Sequence, residues 1–396
     1  MSVTIDESIP AAPPPPHVCH KVPEDGEPLL PVGQHSPSID LETGSKRKAR
    51  TMAIIGMAAV LVAGVVRRYP IVSAGMAVTV LLMLIFYSAI LALLLFLASL
   101  LSVLYNVSDQ AVFCPDYPSD ARQSVLLPSS VGLPCENLRL YAADGTRLHA
   151  VFVGQHLTGV RAGAVTLLYL HGNAGNIGHR LANVCGLYNR LKCNVLMLEY
   201  RGFGFSSGHP SESGLYQDGA AALDYLHTRK DIDASKIVLF GRSLGGGVAI
   251  ELASRGEARQ LMRGLIIENT FTSIPDMARA IIPKDNFILK LPLCCYKNKF
   301  LSRVKIVRVS VCTLVVSGQH DTLVPPRMAL QLHQACGARH KRMVRFSLGT
   351  HNETWRCPGY YLAIKHFLDE VLNNSPVQAP VFPPGVNWIT DASQLL

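Results

Sequence analysis

Three things are missing from this 396-residue sequence, and each absence excludes something. No two cysteines take the C-x-x-C spacing of a structural zinc site; ten are scattered, with Cys294 and Cys295 the only adjacent pair. Neither a metal centre nor a disulfide framework is therefore expected, and a chain of this length can bury a full core without staples. No basic helix or nucleic-acid motif accompanies the net charge of +9. The excess cations read as a solvated surface first and as weak attraction to anionic lipid headgroups second, with no nucleic-acid partner.

The third absence is charge itself. Residues 71–105, "IVSAGMAVTVLLMLIFYSAILALLLFLASLLSVLY", hold no charged residue, although the chain as a whole is 16% charged. A helix rises about 1.5 Å per residue against a bilayer core of about 30 Å, so about 20 apolar residues suffice to cross it. A core helix of a soluble protein rarely runs so long without a polar face. A second apolar stretch, residues 51–66, is shorter, carries two glycines and is closed by Arg67 and Arg68. One span is expected, with a two-span hairpin as its rival.

Six cations lie on the N-terminal flank, four of them in "SKRKAR" before the first apolar stretch, while residues 106–120 have none. For a single span the positive-inside rule then leaves the N-terminus in the cytosol and the rest outside it, a type II signal-anchor arrangement; a hairpin would return the catalytic part to the cytosol. A cleavable signal peptide is not expected, because the apolar region begins far from the N-terminus. Sequons at Asn106, Asn352 and Asn373 carry almost no weight: the first hugs the membrane, the second abuts His351, and proline follows the third.

The organisation expected is a disordered, proline-containing head at 1–50, a membrane anchor at 51–105, a link at 106–134, a catalytic domain at 135–374 and a tail at 375–396 outside the core. Within the catalytic domain, eight short apolar runs, from "NLRLYA" through "CTLVVSG" to "RMVRFSL", alternate with helix candidates near 177–192, 212–229, 244–255, 325–335 and 358–373. Such alternation implies an α/β fold, a mostly parallel twisted sheet covered on both faces and opened by a hairpin.

One stretch concentrates the chemistry. "KIVLFGRSLGGGVAIELAS", residues 236–254, reads as strand, glycine turn and helix. A phosphate loop would need a lysine after its glycines and a dinucleotide loop would need G-x-G-x-x-G; neither is present. What is present is G-x-S-x-G, with Gly241 and Gly245 giving room to Ser243 in a strained, exposed turn. A serine hydroxyl needs a base to take its proton and an acid to orient that base. Asp321 follows the strand "CTLVVSG" and His351 follows "RMVRFSL", which gives the order Ser, Asp, His at successive strand ends. The bland readings are a helix-capping acid beside Pro325 and an ordinary loop histidine. For the oxyanion, the expected donors are the backbone amide of Leu244 and the loop "HGNAGN" with Asn173; His171 reads as shaping that turn and His320 as exposed.

Taken together, "HGNAGNIGHR", "EYRGFGFSSG", "LFGRSLGGGVAIELAS", "ENTFTSI", "CCYKNKFLS" and "GTHNETW" resemble the alpha/beta-hydrolase superfamily, and within it the branch of domain-containing proteins that has fungal and plant members. The resemblance covers roughly residues 110–373. It implies Ser243 as nucleophile, Asp321 as orienting acid, His351 as base, a membrane anchor ahead of the domain, and no cofactor. A serine at the elbow sets the chain apart from the epoxide-hydrolase and haloalkane-dehalogenase branches, which need aspartate there. The head and the second apolar stretch depart from the single anchor usual in this branch.

Residues 270–310 occupy the place where these hydrolases insert a lid; here the insertion is short, apolar and then basic. It suits an acyl chain beside an anionic headgroup, and equally an ordinary helix with a solvated cationic face. With the anchor, the expected substrate is an acyl ester or thioester in a lipid or a palmitoylated protein, the latter as in the related depalmitoylases. Those relatives carry an N-terminal cysteine cluster where this head has only Cys19. The alternatives are a serine aminopeptidase, for which no acidic site for an amino terminus is visible, and a non-catalytic membrane scaffold.

Overall fold

The computed structural model describes residues 40–390 apart from 157, 291, 374 and 376. The head up to residue 39, expected to be disordered, and residues 391–396 of the expected tail lie outside them. The chain divides into two compact units, 1–92 and 93–396.

The described part of the first unit is helical. Helix α1 covers Asp40–Arg68, and α2 begins at Pro70 and runs to Val112, into the second unit. Helix α1 therefore starts at Asp40 and not with the apolar stretch at 51, because the alanine, lysine, arginine and glutamate between them are good helix formers and extend a helix already nucleated. Residues Pro70–Ser102 of α2 are long and apolar enough to cross a membrane, and they form the one helix with that property among the described residues. The hydroxyls of Thr79 and Ser88 donate back to the carbonyls of Gly75 and Ile85, which satisfies them within the helix.

The second unit is built on one nine-stranded sheet: β1 Glu136–Tyr141, β2 Arg147–Val153, β3 Thr166–Leu170, β4 Asn194–Leu198, β5 Ile237–Arg242, β6 Gly264–Glu268, β7 Cys312–Gly318, β8 Lys341–Phe346 and β9 Val386–Ile389. Its spatial order is β1-β2-β4-β3-β5-β6-β7-β8-β9. Strands β3 to β8 are parallel to their neighbours, while β1, β2 and β9 enter antiparallel at the two edges. Strands β3 to β6 are buried at every position because both faces of the sheet are covered. In β5, Ile237 and Leu239 join one core while Val238 and Phe240 join the other, as the two-residue period of a strand requires.

The covering helices are α3 Leu181–Leu191, α4 Glu212–Thr228, α5 Leu244–Ala253, α6 Ile274–Ile281, α7 Pro326–Ala335 and α8 Tyr360–Asn373. The insertion at 270–310 contains α6 followed only by short helical turns.

Besides the head, expected to be disordered to residue 50 but helical from Asp40, two boundaries need correction. The tail is not wholly outside the core: β9 pairs antiparallel with β8, and Ile389 is fully buried. A four-residue strand is too short to show a period in the sequence. Nor is 106–134 a plain link. Helix α2 continues to Val112, Phe113 packs edge-on against Phe300 in the core, and Asp109 accepts hydrogen bonds from Lys297 and Asn298 at 2.6 Å each.

Candidate active site

Strand β5 delivers its last residue, Arg242, into a turn at which Ser243 adopts φ +52°, ψ −116°, and α5 starts at once with Leu244. That backbone is strained for a residue with a side chain, and it persists because the neighbours leave no alternative. The strand and helix approach so closely that a Cβ on Gly241 would stand 2.4 Å from the Gly245 carbonyl oxygen, and one on Gly245 would stand 2.0 Å from the Leu170 carbonyl oxygen. Glycine is the residue that fits either place.

The three side chains read from strand ends come together. Ser243 Oγ lies 3.1 Å from His351 Nε2, and His351 Nδ1 lies 2.8 Å from Asp321 Oδ2. Asp321 does not cap α7, which has no side-chain cap; its Oδ1 instead accepts the N–H groups of Leu323 and Val324 in the loop before that helix, at 2.9 and 2.8 Å. One carboxylate oxygen thus fixes the loop while the other faces the imidazole. Ser243 and Asp321 are buried, and the His351 side chain is 12% exposed.

The loop after β3 lies against this line. A Cβ on Gly172 would meet the Ser243 Cβ at 3.4 Å, so the residues that follow it border the serine. The side chain of Asn173 points elsewhere: Nδ2 donates to the Val112 carbonyl at 2.6 Å and Oδ1 accepts from the Cys114 N–H at 3.1 Å. Any oxyanion contact from Asn173 must then come from its backbone N–H, as at Leu244. The loop is tied further to the chain leaving α2. Gly175 N–H donates to the Tyr117 carbonyl, and Asn176 Nδ2 donates to the carbonyls of Ala121 and Ser124.

His171 is fully buried, rests against Tyr200 and Phe203, and has Nε2 3.4 Å from Glu199 Oε2. Glu199 Oε1 in turn accepts the Ile177 N–H at 2.7 Å. His171 thus braces the turn and is not aimed at Ser243.

Sequence reasoning missed a second tier. Arg242 donates to the His351 carbonyl and to Asn352 Oδ1 at 2.9 and 2.7 Å, and its Nε is 3.7 Å from Glu268 Oε1. Burial pushes the Glu268 carboxyl above its usual range, opposed by the Arg242 charge and by the hydroxyl of Tyr360, which donates to Glu268 Oε2. The Glu268 carbonyl accepts the Ser243 N–H, and the Thr270 hydroxyl donates to the Ser243 carbonyl. The available signal was polar "ENT" directly after an apolar strand, which is where open α/β sheets place their sites. Among the described residues no cluster of His, Cys, Asp and Glu could hold a metal ion. A cavity of about 830 Å³ between α3 and α8, lined by Cys185, Arg190, Trp355 and Tyr361, includes none of the three aligned side chains.

The alpha/beta hydrolase fold profile matches residues 165–293. An alpha/beta hydrolase domain-containing protein of Arabidopsis thaliana, WAV2, is 36% identical over 281 residues, covering 68% of this chain and 90% of the relative. The chain belongs to the alpha/beta-hydrolase family. An uncharacterised membrane protein of Saccharomyces cerevisiae is 34% identical to this alpha/beta hydrolase over 68% of the chain and 91% of its own length. Among solved structures, a Pyrococcus furiosus esterase superposes with a TM-score of 0.50 at 14% identity, covering 64% of this chain and 96% of its own, which shows a shared fold.

Proposed function

We propose that this alpha/beta hydrolase is a membrane-anchored serine hydrolase that cleaves an acyl ester or thioester, in a lipid or a lipidated protein, through an acyl-enzyme. The observation that carries the reading is the unbroken hydrogen-bonded line from Ser243 through His351 to Asp321, ending on a serine held at positive φ.

In this reading His351 Nε2 takes the Ser243 proton as Oγ attacks the acyl carbonyl, and Asp321 holds the imidazole so that Nδ1 keeps its proton. The oxyanion is received by the N–H groups of Leu244 and Asn173, which enter no hydrogen bond among the described residues. His351 then protonates the leaving alkoxide or thiolate, and water repeats the sequence in reverse to free the acid. The apolar span and the cations of residues 270–310 favour a substrate presented at a membrane.

The test is labelling of the full chain in detergent by a fluorophosphonate probe. Wild type is expected to label and Ser243→Ala to lose all labelling. A wild type that takes no probe would leave a scaffold as the better account. Lysophospholipids and acylated peptides offered side by side to unlabelled wild type then separate ester from thioester substrates.

A further inference from the structure

The three aligned side chains sit on three separate strand exits, and something must hold those exits in register to within a fraction of an ångström. We propose that Asn269 is that positioning residue: it locks the exits of β7 and β8, and so the Asp321–His351 pair, to the exit of β6. This rests on the serine-hydrolase reading above.

Asn269 follows β6 directly, is 3% exposed, and has φ +46°, a left-handed conformation that asparagine tolerates better than most side chains. Its backbone N–H donates to the Val316 carbonyl of β7. The side chain then reaches both neighbouring exits. Oδ1 accepts the Gly318 N–H at 2.8 Å, at the end of β7 and three residues before Asp321. Nδ2 faces the carbonyls of Thr350 and His351 at 3.1 and 3.2 Å and the Thr354 hydroxyl at 3.0 Å, all beyond β8.

Strand β7 lies between β6 and β8, so this one amide passes over the end of β7 to grip the loop that carries the base. Donor and acceptor are both required, and on separate atoms: one atom meets an N–H and the other meets three oxygens, which the single oxygen of a serine or threonine hydroxyl does not supply. The His351 carbonyl receives a second donor from Arg242, which fixes the base loop from the serine side as well. The flanking residues complete the pattern, since Glu268 and Thr270 hold Ser243 through its N–H and its carbonyl. The tripeptide 268–270 therefore touches all three exits, and Asn269 joins acid to base.

Asn269→Gly keeps the backbone conformation and removes the amide; Asn269→Asp keeps an acceptor for Gly318 and loses the donors. Both are to be compared with wild type for p-nitrophenyl butyrate turnover and fluorophosphonate labelling rate, at temperatures below each variant's cooperative melting transition. The expected result is a kcat lowered about 10- to 100-fold with KM within about twofold, as misplacement of a reacting group gives, and a labelling rate lowered in step.

The deciding measurement is a double-mutant cycle with Asp321→Asn. If Asn269 acts through the Asp321–His351 pair, adding Asn269→Gly to Asp321→Asn slows the reaction little further; a merely structural asparagine would multiply the two losses. Multiplied losses, or Asn269 variants that label at the wild-type rate, overturn the assignment and leave the serine-hydrolase reading standing. A wild type that neither labels nor turns over ester overturns both. Should Asn269→Gly fail to fold, Asn269→Asp carries the same cycle.

Discussion

At the scale of single residues, the site shows how much a polar group gains from being placed at the end of an apolar strand. Ser243, Asp321 and His351 were legible because each follows a recognisable buried strand, in the chain order that a serine nucleophile requires on this fold. Arg242, Asn269 and Thr270 were not, since their partners are main-chain atoms of distant loops and no spacing records such contacts.

Another residue lies outside this logic. His333 on α7 is almost wholly buried, with neither ring nitrogen hydrogen-bonded, and burial assisted by Lys341, Arg345 and Arg342 pushes its pKa down to about 4. In the unfolded chain the same imidazole takes its proton near pH 6.5. The unfolded state therefore binds more protons between these values, and stability is full above pH 6.5 and falls as pH drops towards 4, by up to about 3 kcal/mol. Denaturant midpoints measured across that interval should decline for wild type and decline less for His333→Leu; parallel curves would exclude His333 as a source of acid sensitivity.

At the scale of elements, eight strands and five helices could be placed from the sequence because burial on both faces writes continuous apolar runs bounded by turn residues. The ninth strand escaped. Its four residues follow a proline-rich bend, and only pairing with β8 shows that Ile389 belongs to the core. Without β9, β8 becomes an exposed edge, and His366 and Phe382 lose the Trp388 ring that packs on both. Truncation after residue 385 should therefore cost about 2 kcal/mol from Ile389 alone and lower the melting temperature by several degrees, with aggregation on heating. An unchanged melting curve would mean that β9 is an ornament.

At the scale of the whole molecule, the proposed membrane span raises the question of which side holds the site. The cations flanking the apolar region predict a cytosolic N-terminus, and for one span they place the hydrolase unit on the other side. Protease added to sealed microsomes should then spare a C-terminal epitope until detergent is present, whereas digestion from the cytosolic side would refute the type II arrangement.

The chain between the end of α2 and Leu126 has a practical consequence for anyone who wishes to work with the enzyme in water. Removing the anchor by starting the chain at β1 would discard the carbonyls of Val112, Tyr117, Ala121 and Ser124 and the Cys114 amide, all of which hold the loop at 173–176. A soluble version has to be cut upstream of Val112, with α2's last turn kept and the apolar residues before it replaced. A version trimmed at the visible edge of the sheet would fold around a slack 173–176 loop, and its silence in an assay would be mistaken for a property of the protein.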